Sequence, residues 1–185
     1  MLAAERRARA GTLLVLTGAC VLLPLRLRLI APPVPLRAGM LPALYALLLF
    51  ASVLVPAHSG PRRLHPAIAL GVGLAALGLA AIAAGPSAPL PVAGTAVALS
   101  LLAAVAEEAL FRRAAYSALE RHGPGLAIAT TALLFAAVHV PLYGVAAFPV
   151  DLGAGLLFGW QRHATGSWSV PAATHAAANL FAVVR

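Results

Sequence analysis

Apolar residues in this chain run in long uninterrupted blocks separated by short polar or Pro/Gly-rich breaks. The blocks extend from Gly11 to Leu25, from Gly39 to Ala57, through two stretches between Pro66 and Ala106, and then over Leu126 to Val140, Gly144 to Trp160 and Ser169 to Val184. Each approaches the roughly 20 residues that an α-helix needs to cross the hydrocarbon core of a bilayer. Between Pro66 and Ala106 the break is Gly85-Pro86-Ser87-Ala88-Pro89-Leu90-Pro91, which cannot continue a helix because each proline removes a backbone donor and clashes with the preceding turn. The blocks are continuous and rich in Ala and Leu, without the period-two alternation of a membrane barrel. The expected fold is therefore all-α, a polytopic transmembrane helical bundle of about seven helices, forming a single membrane domain over residues 1–185.

Composition supports this and removes other classes. The chain has 185 residues, of which 62% are hydrophobic and 10% charged, with mean hydropathy +0.94. A soluble domain is about half apolar and about a quarter charged, so the excess here has no aqueous surface to occupy. An ordinary cytosolic enzyme, a disordered chain and a disulfide-built secreted module are excluded. All 13 basic residues are Arg, and the formal net charge is +8. These arginines lie between apolar blocks and form no single patch, so they mark membrane topology and headgroup contacts, with no nucleic-acid partner expected. Arg6, Arg7 and Arg9, then Arg62 and Arg63, then Arg112, Arg113 and Arg121, and finally Arg162 fall on alternate connections. This places a multi-pass protein in the cell inner membrane with its N-terminus in the cytoplasm. Arg26, Arg28 and Arg37 fall on the opposite side and disagree with that assignment. The basic N-terminus reads as a signal anchor, and Cys20, the one cysteine, as part of a retained span that can form no internal disulfide.

Two adjacent carboxylates, Glu107 and Glu108, interrupt the apolar segment that begins at Leu99. A charge within a membrane costs about 2.5–3.5 kcal/mol on insertion scales, so such a pair asks for a reason. Either the glutamates end a helix at the headgroups, paired to Arg112 and Arg113, or they serve chemistry. Helical neighbours project about 100° apart, so the two cannot share a face. Glu108 stands four residues before Arg112, the favourable spacing for an ion pair, which leaves Glu107 available as a general base.

Depth brings other polar residues to the same level. If the fourth helix runs on to the turn at His122-Gly123-Pro124, Glu107 lies about 21 Å and His139 about 22 Å from that turn at 1.5 Å per residue. Counted from the turn at Ala164-Thr165-Gly166, Asp151 and Asn179 lie about 20 Å up, with His175 somewhat shallower. His175 and Asn179 share a helix face at i, i+4, as do Phe135 and His139. Asp151 is expected to support this layer, and His58, His65, His122 and His163 to sit at span ends. Trp160 and Trp168 are expected at the membrane interface.

These residues carry a resemblance. Glu107-Glu108-Ala109-Leu110-Phe111-Arg112 resembles the EExxxR motif of the type II CAAX-prenyl-protease and bacteriocin-processing family (CPBP, or Abi) of intramembrane proteases. Phe135 to His139 is similar to its FxxxH motif, and Thr165-Gly166-Ser167-Trp168 with His175 to Asn179 to its final TGS turn and HxxxN. The motifs fall in residues 91–185, and residues 1–90 look like scaffold helices. The resemblance implies an intramembrane endopeptidase in which Glu107, helped by His139, activates water. It further implies that Glu108 and Arg112 hold the site together, while His175 and Asn179 donate to the oxyanion. No cofactor is implied on the glutamate-type reading; the alternative is Zn2+ on Glu107, His139 and His175 with water as the fourth ligand. The implied partners are the lipid bilayer and a membrane-associated protein or peptide substrate, in C-terminal sorting-signal processing, as by the myxosortases, or in bacteriocin maturation or immunity. The residues alone also permit a non-proteolytic membrane protein, such as a proton-coupled carrier or an immunity factor.

Overall fold

A computed structural model describes residues 12–13, 16–20, 23–26, 35–57, 59–85 and 94–184. The His58 and Arg28 assignments, and the signal-anchor reading of residues 4–9, fall outside them. The described residues form an all-α helical bundle without strands. We number its helices α1 (Leu16–Arg26), α2 (Pro35–Leu54), α3 (Pro66–Ala84), α4 (Gly94–Glu108), α5 (Tyr116–Leu119), α6 (Pro124–Tyr143), α7 (Phe148–Thr165) and α8 (Ser169–Val184). Three described rods are long and apolar enough to cross a membrane: Pro66–Ala83, Gly94–His122 and Pro124–Tyr143. Leu47, Phe50, Leu79, Ile82 and Leu133 are exposed on the outside of the bundle, where a membrane protein meets lipid.

The helix limits follow from local chemistry. α2 stops at Leu54, three residues short of the apolar block's end, because Pro56 supplies no donor and disfavours helical geometry at Val55. The guanidinium of Arg113 caps this end, donating to the carbonyls of Ser52 and Val55 at 2.6 Å each. α6 begins with Pro124 at its first turn, after Gly123 at φ +109°. α7 ends on Gly166 at φ +67°, where a Cβ would meet the carbonyl oxygen of Gly60 at 2.1 Å. The turn therefore requires glycine both for its left-handed backbone and for contact with the loop before α3, whose Arg63 and Leu64 amides donate to Ala164 O.

Glu107 and Glu108 do not end their helix. The chain continues through a π-helical segment, Ala109–Ala115, in which the Tyr116 amide bonds back five residues to Phe111 O. It then passes through α5 and a 3-10 turn, Glu120–His122. The carboxylates thus sit mid-rod, and the wider π turn lies at the motif itself, as such turns commonly do at functional sites.

Packing then sets the site's walls. α6 lies along α7, α4 along α8, and α2 against α4 and the π segment, while α3 supports α7 and α8 from behind. Gly155 and Gly159, one turn apart on α7, let α6 approach closely: Cβ atoms there would lie 2.9 Å from Ala132 Cα and 3.0 Å from Ile128 Cγ2. Ala19 and Leu23 of α1 join Leu44, Tyr45, Leu48, Ala106, Leu110, Phe111, Phe135 and Phe158 in one buried apolar cluster.

Candidate active site

The two glutamates point to different partners, as neighbours on a helix must. Glu108 Oε1 accepts from Arg112 Nη1 at 2.9 Å and from His175 Nδ1 at 2.9 Å. Arg112 also donates through Nη2 to Gly155 O at 3.0 Å, which ties α4 to α7. Its guanidinium carbon lies 4.7 Å from the Phe135 ring centre, 5.3 Å from that of Phe158 and 5.7 Å from that of Phe111, so aromatic faces supply part of the cation's surroundings. The imidazole of His175 stacks on Phe158 at 5.1 Å. Glu108 and Arg112 are completely buried. The backbone around them is fixed as well, because Arg162 Nε donates to Arg112 O at 3.0 Å.

Glu107 faces the other way, toward α6 and α1. Its Oε2 lies 3.5 Å from His139 Nε2. His139 Nδ1 is 2.7 Å from Phe135 O, and since a carbonyl only accepts, Nδ1 carries the proton of that bond. The ring is thereby oriented with Nε2 toward the carboxylate, and it stacks on Tyr143 at 5.7 Å. At 3.5 Å the Glu107–His139 contact is longer than a tight N–H···O bond.

The sequence reading left Glu107 without a charge partner, and the structure corrects this. Arg26 Nη1 donates to Glu107 Oε1 at 2.7 Å, and its Nη2 donates to Val138 O. Both side chains are almost fully buried, at 1% and 4% exposure. Arg26 was one of three arginines that contradicted the topology pattern. Its place accounts for its own disagreement with that pattern, because it is an internal counter-ion. The available signal was an arginine at the end of an apolar run with no interfacial role.

The other expected residues take these places. Asn179 lies one turn beyond His175, its amide donating to Ser100 O at 3.0 Å, so it sits above the glutamate layer. Asp151 opens α7 half-buried, within electrostatic reach of His139, Glu107 and His175, and its Oδ2 has no hydrogen-bond partner. His65 caps α3, accepting from the Ala67 amide. His163 lies 3.2 Å from the Tyr116 hydroxyl, and His122 accepts from Arg121 Nε at the 3-10 turn. Trp160 and Trp168 are half-buried.

Glu107 Oε1 is held by a guanidinium, and His175 Nδ1 faces Glu108. Among the described residues no three His, Cys, Asp or Glu side chains gather closely enough to hold a metal.

Neither a curated protein nor a solved structure matches the chain. A family model does: the type II CAAX prenyl endopeptidase Rce1-like model matches residues 89–181, from just before α4 into the last turns of α8. That span is half of the chain and contains both glutamates, Arg112, both site histidines and Asn179. On that match, with its bundle of apolar helices, this membrane protein belongs to the type II CAAX prenyl endopeptidase Rce1-like family, a family of proteases.

Proposed function

We propose that the protein is an intramembrane endopeptidase in which Glu107 activates water against a peptide bond. One observation carries this reading: an oriented imidazole and a carboxylate from different helices stand 3.5 Å apart in a buried layer. Glu107 Oε2 takes a proton from water, and the oxygen forms a bond to the peptide carbonyl carbon. His139 Nε2 orients that water from the other side. When the tetrahedral intermediate collapses, the C–N bond breaks and the amine leaves with the proton held by Glu107. His175 faces the same layer with Nδ1 on Glu108, which leaves Nε2 to serve the developing oxyanion. Asn179 has a second amide hydrogen beyond the one on Ser100 O, and it serves the substrate one turn above. Glu108 and Arg112 hold α4, α7 and α8 around the site. The reaction needs no metal.

The substrate is a membrane-associated protein or peptide, of the kind presented by a C-terminal sorting segment or a bacteriocin precursor. The enzyme sits in the inner membrane with its N-terminus in the cytoplasm, a reading supported by the exposed Arg62, Arg63 and Arg121 at the end of the bundle where the loop before α3 meets the α7–α8 turn. The test is a cleavage assay on purified protein in proteoliposomes, with an internally quenched, farnesylated CAAX-type peptide and with co-expressed membrane proteins bearing C-terminal sorting segments. Glu107→Gln is expected to lower cleavage by about 10²–10⁴-fold while membrane insertion stays normal. Cleavage by Glu107→Gln at the parent rate would overturn the assignment, as would proton-coupled flux without product.

A further inference from the structure

The Rce1-like match begins at residue 89, yet the group nearest to the Oε1 edge of Glu107 comes from well before it, on α1. Arg26 forms two bonds at once. One grips the carboxylate of α4, and the other grips the backbone of α6 at Val138, the residue before His139. A single guanidinium therefore spans the two helices that supply the base and its imidazole, and it does so almost fully buried. The planar fork of arginine suits this double role, which a one-point cation cannot reproduce. Tyr45 of α2 stands beside the pair and is also buried. The opposite oxygen, Oε2, is the one left facing His139.

We propose that Arg26 is the positioning residue of Glu107. It engages Oε1 as a buried counter-charge, so that Oε2 is the oxygen left facing His139, and it ties α4 to α6. This rests on the reading of Glu107 as the base, and it makes the first helix part of the catalytic machinery, where the sequence suggested scaffold only. A buried carboxylate without a counter-ion would take up a proton in preference to staying charged. A protonated Glu107 could not accept one from water.

The test has two arms, both on the full chain in proteoliposomes. The first uses dicyclohexylcarbodiimide, which modifies protonated intramembrane carboxyls, with labelling at residue 107 read by peptide mass spectrometry at neutral pH. The parent is expected to label weakly, Arg26→Gln severalfold more, and Arg26→Lys close to the parent, because lysine restores the charge. Equal labelling of the parent and Arg26→Gln overturns the proposal. If Arg26→Gln does not accumulate folded, Arg26→Lys decides: strong labelling there overturns it, and parent-like labelling supports it. The second arm measures cleavage of the quenched peptide. Arg26→Gln is expected to lower kcat with KM unchanged, Arg26→Lys to recover part of kcat, and Arg26→Gln to have no further effect in a Glu107→Gln background. An equal further loss in that background would mean that Arg26 acts on the fold and not through Glu107. A parent that cleaves no peptide speaks against the protease reading, while the labelling arm still decides the role of Arg26.

Discussion

Glu107 and Glu108 are neighbours in sequence and both buried, yet their surroundings differ in kind. Glu108 takes both donors on one oxygen: an arginine one helical turn away and a histidine held by aromatic stacking. Its guanidinium partner is enclosed by three phenylalanine rings and bound to α7. Glu107 is held at one oxygen by an arginine 81 residues earlier and meets His139 at 3.5 Å on the other. The first glutamate joins its own helix to α8 through one oxygen, and its Oε2 is buried without a hydrogen-bond partner; the second engages a different helix with each oxygen. On the proposed mechanism the first is a fastening and the second a tool, and the helices their faces meet make the difference.

That difference can be tested by exchanging insults between the two sites. The largest effect on chemistry is expected from Glu107→Gln, which removes the base and leaves a similar volume; its kcat should fall by about 10²–10⁴-fold even in the protein that remains folded, while the loss of Arg26's buried partner lowers stability as well. Glu108→Gln and Arg112→Leu should show the opposite balance. Removing one partner of a buried pair strands the other charge and costs about 3–5 kcal/mol. Both variants should therefore unfold at clearly lower temperature in detergent, with activity lost alongside the fold. Parent-like stability in Arg112→Leu would erase the distinction between fastening and tool.

The histidines sharpen the comparison at intermediate size. His139→Ala should lower kcat with a smaller loss of stability than His175→Ala, because its ring is held by Phe135 O, by ring contacts and by the long contact with Glu107. His175→Ala should lower both kcat and unfolding temperature, because it removes a donor from Glu108 as well as an oxyanion group. Further from the chemistry, Gly166→Ala should cost about 1–3 kcal/mol of stability through left-handed strain and collision with Gly60 O, while the protein that remains folded retains its KM. The smallest effect is expected from chelators: 1,10-phenanthroline should leave the cleavage rate unchanged, and added zinc should not raise it. Loss with chelator and recovery with zinc would replace the carboxylate mechanism by a metal one.

Much of this architecture was legible in order along the chain. Continuous apolar blocks with proline and glycine breaks specify membrane helices, because no polar backbone can be left unpaired in lipid and only helices satisfy it locally. The Glu108–Arg112 pair was equally legible, since both partners lie on one helix face and their meeting depends on local geometry alone. Counting residues from the turns also placed Glu107 level with His139, as rise per residue is nearly constant. Tertiary packing decided the rest. The sequence could not show that Arg26 crosses from α1 to Glu107, since a topology signal and an internal counter-ion look alike in one dimension. Nor could it show that the rod carrying the glutamates passes through a π-helical turn, or that Asn179 stands a turn above the carboxylates. Helical periodicity determines which residues share a face; which faces meet, and hence which charge is buried against which, is settled only when the helices pack.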